Sequence, residues 1–176
     1  MRRRLLFFFV EGNDDERFVE SVLLPRLNER YDSVTVYQYA QTKPKKVNGL
    51  LGSLRKMDAD HIWITDINTS PCVTHRKERM MRKYTSLKDA PERMAVVIKE
   101  IESWYLAGLG DKAGERMGVT SFQTTDNVTK ERFDSIMPSR FDSRIDFMCE
   151  MLKNFDFETA VQKNRSFAYF AAKFLE

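Results

Sequence analysis

Six apolar residues in a row, "LLFFFV" at Leu5–Val10, stop abruptly at Glu11 and Gly12. A short unbroken apolar run predicts a strand covered on both faces, as a parallel sheet under helices requires. Gly12 permits a turn. Asn13 and Glu16 stand at capping-box spacing, and the acids around them favour a helix start, so a helix is expected over residues 14–30. Pro25 falls inside that pattern and is expected to kink or split it. "VTVYQYA", residues 34–40, is rich in β-branched and aromatic side chains and predicts a second strand. Val47, Leu50, Leu51 and Leu54 then recur at helical spacing over residues 46–56. "HIWIT" predicts a third strand closed by Asp66, and "MAVVIKE" a fourth ending near Glu100. "ESWYLAGLG" reads as a helix stopped at a pair of glycines. Residues 111–145 are polar and turn-rich and show no firm period. In the last segment Phe167, Phe170, Ala171 and Phe174 form a helical packing stripe.

Strands alternating with helices predict an α/β fold with a mainly parallel sheet, and right-handed crossovers put helices on both faces. At 176 residues one sizeable core is expected, hence one domain, with a core over about residues 5–108 and a mainly helical part over 109–176. A hydrophobic share of 42% and a charged share of 31% are those of a soluble globular protein. No stretch approaches the length of a membrane helix. The opening "MRRRLLFFFVEG" has arginines before an apolar run, but the run is too short for a signal peptide and acids follow it. A cytoplasmic location without membrane attachment is expected. Cys72 and Cys149 do not make a disulfide framework and read as reduced thiols. Cys72 and His75 form a C-x-x-H pair, for which His61 and Cys149 are the remaining soft ligands of a zinc site.

The net charge of +3 gains meaning from its distribution. Lys43, Lys45, Lys46, Arg55 and Lys56 occur without an acid among them, and Arg76, Lys77, Arg79, Arg82, Lys83 and Lys88 surround Glu78 alone. Such segments contact phosphate backbones, or else form a solvated helix face. Arg76, Lys77, Arg79, Arg82 and Lys83 are the candidate nucleic-acid contacts, because they follow the Asp66 loop.

Three apolar strands run into acids: Glu11 after the first, Asp66 after the third, and Glu100 with Glu102 after the fourth. The carboxyl ends of parallel strands share one edge, where open α/β sheets bind ligands. Glu11, Asp66, Asn68, Glu100 and Glu102 are therefore expected to converge. Carboxylates gathered this way repel one another, and a hard cation with oxygen ligands removes that cost. Each element also has a plain reading as a solvated strand end or helix start. Lys99 is either a stabiliser of phosphate charge or a solvent-facing partner of a carboxylate. Ser103 reads as a helix cap, and Trp104 with Tyr105 as packing for Glu102. Neither a P-loop nor a G-x-G-x-x-G pattern occurs.

"FVEGNDDERF" with Glu11, Gly12 and Asp15, "ITDIN" with Asp66 and Asn68, and "IKEIESWYLA" with Glu100, Glu102 and Trp104 resemble the Toprim fold. The resemblance is to small Toprim-like families related to OLD-type nucleases, over roughly residues 5–108, and "KNRSFAYFAAKFL" is similar in style. It implies a Rossmann-like Toprim sheet and a Mg²⁺ or Mn²⁺ site. By this match Glu11 is a metal ligand or general acid/base, Asp15 a supporting acid and Asp66 a metal ligand. Asn68 replaces the second aspartate of the D-x-D pattern, keeping an amide oxygen but no charge, which shifts the burden to Glu100 or Glu102. A metal-dependent, endonuclease-like enzyme acting on nucleic acid is the leading expectation, with Glu11, Asp66 and Glu100 catalytic. The alternative is a Toprim scaffold that binds without turnover and works with a partner such as the ATPase domain that OLD-type enzymes carry.

Overall fold

The computed structural model describes residues 3–175. It shows an α/β fold of the expected class, with four parallel strands flanked by helices. The chain forms two compact units, one through Val96 and one from Val97.

In the first unit β1 (Leu5–Val10) is followed by α1 (Asn13–Phe18), a π-helical turn at Val19–Leu23 and α2 (Leu24–Leu27). The helix expected over 14–30 is therefore interrupted, and the irregularity lies before the proline. Pro25 sits in the first turn of α2, where its missing N–H and its ring disturb the turn preceding it, and the wider π-turn accommodates them. The N-cap is Gly12 rather than Asn13, and the Asp15 carboxylate reaches back to the Gly12 N–H at 3.1 Å.

β2 (Ser33–Gln38), α3 (Pro44–Met57) and β3 (Asp60–Asp66) follow. α3 buries Val47, Leu51 and Leu54, as its period requires, and ends at Asp58 in the left-handed region. α4 (Val73–Lys83) carries the basic run, two short 3-10 turns follow, and β4 (Met94–Val97) completes the sheet. The strand order is β2-β1-β3-β4. β1 pairs with β2 on one side, Leu5 opposite Ser33, and with β3 on the other, Phe9 opposite Trp63. One face of the sheet is packed by Phe9, Tyr39, Leu54, Trp63, Met80 and Tyr84. The Phe9 and Trp63 rings stack at 4.3 Å, and Tyr84 lies 5.4 Å from Trp63. Aromatic pairs in favourable geometry add about 0.5–1.5 kcal/mol each beyond area burial.

The fourth strand stops at Val97, short of the expected end near Glu100, and Lys99 adopts φ 68° just beyond it. The second unit is helical: α5 (Glu102–Ala107), α6 (Asp111–Met117), α7 (Lys130–Ser135), α8 (Arg144–Lys153), α9 (Phe157–Lys163) and α10 (Arg165–Phe174). Residues 111–145, which show no clear period in sequence, thus contain two short helices and the start of a third. The C-terminal stripe is buried throughout. Phe167 and Phe170 pack against Trp104 at 5.2 and 5.4 Å. Asn164 caps α10 by accepting from Phe167 N–H and donates to Ser103 and Thr125, and the Trp104 indole N–H donates to Ser166 at 2.8 Å. Ser103 belongs to this buried network.

Candidate functional site: a basic cleft at the ends of β1 and β3

In a parallel sheet of order 2-1-3-4 the chain reverses its direction of growth between β1 and β3, which opens a crevice at their carboxyl ends. Glu11 lies just past β1, and Thr65 and Asp66 end β3, so three of the strand-end residues stand at that switch point. Glu11 is held from three elements. Its Oε1 accepts from the Thr65 hydroxyl at 2.7 Å, the Arg76 Nη2 at 2.7 Å and the Tyr39 hydroxyl at 3.1 Å. Arg76, on α4, also donates through Nε and Nη2 to Thr65 Oγ1. Arg76 is only 9% exposed. A guanidinium reaches that depth because a carboxylate and a hydroxyl meet it there. Burial, and then the Glu11 charge, push the Tyr39 phenol well above its ordinary value, so it stays protonated and donates.

This cluster forms the inner wall of a cleft of about 720 Å³. Glu11, Tyr39 and Tyr84 line it together with His75, Arg76, Arg79, Arg82 and Lys83. Arg79 donates to Thr69 at 3.1 Å, and the Lys83 ammonium sits 5.3 Å from the centre of the Tyr84 ring. Four of the five candidate nucleic-acid contacts thus share one cleft. Lys77 turns elsewhere and reaches the carbonyl of Pro91.

The remaining candidates each make local contacts within their own unit. Asp15 is buried at the start of α1, holding its cap. Asn68 lies in the left-handed region at φ 51°, and its amide nitrogen donates to the Asp66 carbonyl at 3.3 Å, tightening the turn after β3. In the second unit the Glu100 carboxylate accepts from the first N–H of α7, at Lys130. Glu102, 4% exposed, pairs with Arg144, which also bonds Asp134 at 2.8 Å. Cys72 caps α4, its Sγ accepting from His75 N–H.

The donor set does not fit a divalent cation as arranged. Among the described residues no three His, Cys, Asp or Glu side chains gather where they could hold a metal. The oxygen of Glu11 that faces its neighbours is already paired with a buried positive charge. A Mg²⁺ beside it would meet the Arg76 guanidinium at close range. Among the described residues the C-x-x-H pair gathers no such set either, and its thiol serves as a helix cap.

Sequence reasoning missed Tyr39, Thr65 and Tyr84. Thr65 carried a signal, since it precedes Asp66 on β3 and so faces the same side as Trp63. His75 reads in sequence either as a proton donor near the site or as a surface histidine of a basic helix, and it lines the cleft beside Arg76.

The fold is similar to that of the C-terminal region of the Burkholderia pseudomallei OLD protein, with a TM-score of 0.52 and 18% identity over 100% of both chains. It is also matched to the C-terminal region of the Xanthomonas campestris pv. campestris OLD protein, with a TM-score of 0.42 and 19% identity over 89% of this chain and 84% of that one. At these identities the first likeness establishes an OLD-related fold. No family model and no curated protein matches the sequence.

Proposed function

We propose that this chain is an OLD-like Toprim protein that engages nucleic acid through its phosphates at the cleft beside Glu11 and is nuclease-like in acting on phosphodiesters. The observation that carries this reading is the coincidence of the basic cleft with the switch point of the sheet. Arg79, Arg82 and Lys83 offer charge to a phosphate backbone, which supplies affinity without sequence preference. Arg76 is held in a fixed orientation by Glu11 and Thr65, so it needs little reorganisation to meet a phosphate oxygen. The OLD-related fold supports the same reading by analogy of scaffold.

The Toprim resemblance implies Mg²⁺ or Mn²⁺ as the source of Lewis acidity. The described residues do not compose a cradle for such an ion. The Glu11–Arg76 pair specifically favours the second reading, a scaffold that binds nucleic acid without turnover and acts with an ATPase partner.

The deciding experiment incubates labelled single-stranded and duplex DNA and RNA with the protein and with Glu11→Gln, in Mg²⁺, in Mn²⁺ and in EDTA. Binding and cleavage are both read. Metal-dependent cleavage that Glu11→Gln abolishes supports the nuclease. Binding without product in any condition supports the second reading, and the absence of binding to all four polymers removes both.

A further inference from the structure

The inner end of the cleft holds polar groups whose hydrogen-bonding capacity is unspent. Arg76 uses Nε and Nη2 on Thr65 and Glu11, while Nη1 makes no bond among the described residues. Tyr84 is fully buried and lines the cleft, yet its hydroxyl has no partner. The Nδ1 of His75, also in the lining, is buried without one. Leaving buried polar groups unmet is costly, and native structures seldom leave several in one place without water or a ligand to satisfy them. The charge of the site is one-sided, since Glu11 is the one carboxylate in the lining and Arg76 already offsets it.

From this placement we infer that the cleft is a metal-independent site for a terminal phosphate group, the phosphomonoester of a strand end or of a free nucleotide, anchored by Arg76. The inference rests on the phosphodiester reading above and names the part of the substrate that enters. A diester running along the surface reaches the outer cations Arg79, Arg82 and Lys83. It offers Arg76, 9% exposed, only a singly charged phosphate. A monoester suits the charge, carrying roughly −1.5 to −2 at neutral pH and three acceptor oxygens. The volume of about 720 Å³ lies within the range of pockets that enclose small ligands and has room for a nucleotide. Glu11 and Thr65 act here as positioning residues, because they hold the guanidinium rather than touch the phosphate. Arg76 supplies the positive charge at the place where a cation would otherwise be required.

The test measures binding in EDTA of one short labelled single strand in three forms: phosphorylated at the 5′ end, phosphorylated at the 3′ end, and hydroxyl at both ends. One phosphorylated form is expected to bind about tenfold or more tightly than the hydroxyl form, the effect of a charge-assisted hydrogen bond or two. Arg76→Lys should remove that preference. As Arg76 is buried, Tyr84→Phe serves as a second variant that keeps the Glu11 pair intact and should reduce it, whereas Arg79→Gln should weaken all three forms alike and leave the preference in place. Displacement by AMP at comparable concentration assigns the site to free nucleotides, and much weaker displacement assigns it to strand ends. Equal binding of all three forms overturns the inference and leaves the nucleic-acid reading standing, as does a preference that appears only after Mg²⁺ is added. If no strand binds, the nucleic-acid reading falls, and calorimetry with AMP decides the pocket by itself: heat of binding retains it, and its absence ends it.

Discussion

Arg76 and Glu11 form a pair whose side chains are 11% and 25% exposed, so each depends on the other to offset the cost of leaving water. Removing one partner from such a pair destabilises by about 3–5 kcal/mol, because the other is stranded, whereas removing both charges costs less. We expect urea denaturation of Arg76→Ala to show a loss toward that range and the double variant Glu11→Gln/Arg76→Gln to recover part of it. His61 supplies a second residue-scale test. Burial, reinforced by Arg93, lowers its pKa below the ordinary 6.5. A basic group with a depressed folded pKa contributes stability that is present above pH 6.5 and is lost as pH falls below it. Thermal melting should therefore weaken as pH falls below about 6.5, and His61→Gln should flatten that limb. Of these residues Glu11 was legible in the sequence, since a carboxylate ending an apolar strand announces itself. Its partner was not identified as such, because pairing with Arg76 depends on where α4 lies against β3, and nothing local encodes that.

At the scale of elements, α4 presents His75, Arg76, Arg79, Met80 and Lys83 along the cleft, so charge and core contact share one helix. Binding to single strands should fall with salt at a slope of about −0.7 per phosphate contact. Arg82→Gln should make that slope shallower by roughly this amount while leaving the melting temperature within about 2 °C, as surface substitutions usually do. In the second unit Gly108 closes α5, and a methyl group there would meet the Phe155 ring at 2.2 Å. Gly108→Ala should cost at least about 1–3 kcal/mol by overpacking, read as a shift in the denaturation midpoint at constant slope. Strands and long amphipathic helices were legible from their periods. The π-helical turn, the early end of β4 and the short helices of 111–145 were not, because each depends on a few backbone angles that hydrophobic spacing does not record. Glu100 and Glu102 illustrate the consequence: with β4 ending at Val97, both lie beyond the strand, and in the second unit they serve the start of α7 and a buried pair with Arg144.

For the molecule as a whole the α/β class and the parallel sheet were readable in the alternation of apolar runs, and the order β2-β1-β3-β4 makes the cleft's location intelligible. No helix among the described residues is long and apolar enough to cross a membrane. Side-chain directions at the strand ends, by contrast, are not fixed by the apolar runs that precede them. The Glu11–Arg76 bond joins residues 65 positions apart, and that separation has a kinetic meaning. Contacts closing such long loops are entropically costly to form early. The pair should therefore be absent from the folding transition state and act as a brake on escape from the native state. In stopped-flow chevrons, Arg76→Ala should steepen nothing and leave the refolding limb nearly in place, while unfolding speeds up by most of the lost stability. A protein latched in this way owes its lifetime, more than its speed of folding, to the same side chains that line its cleft.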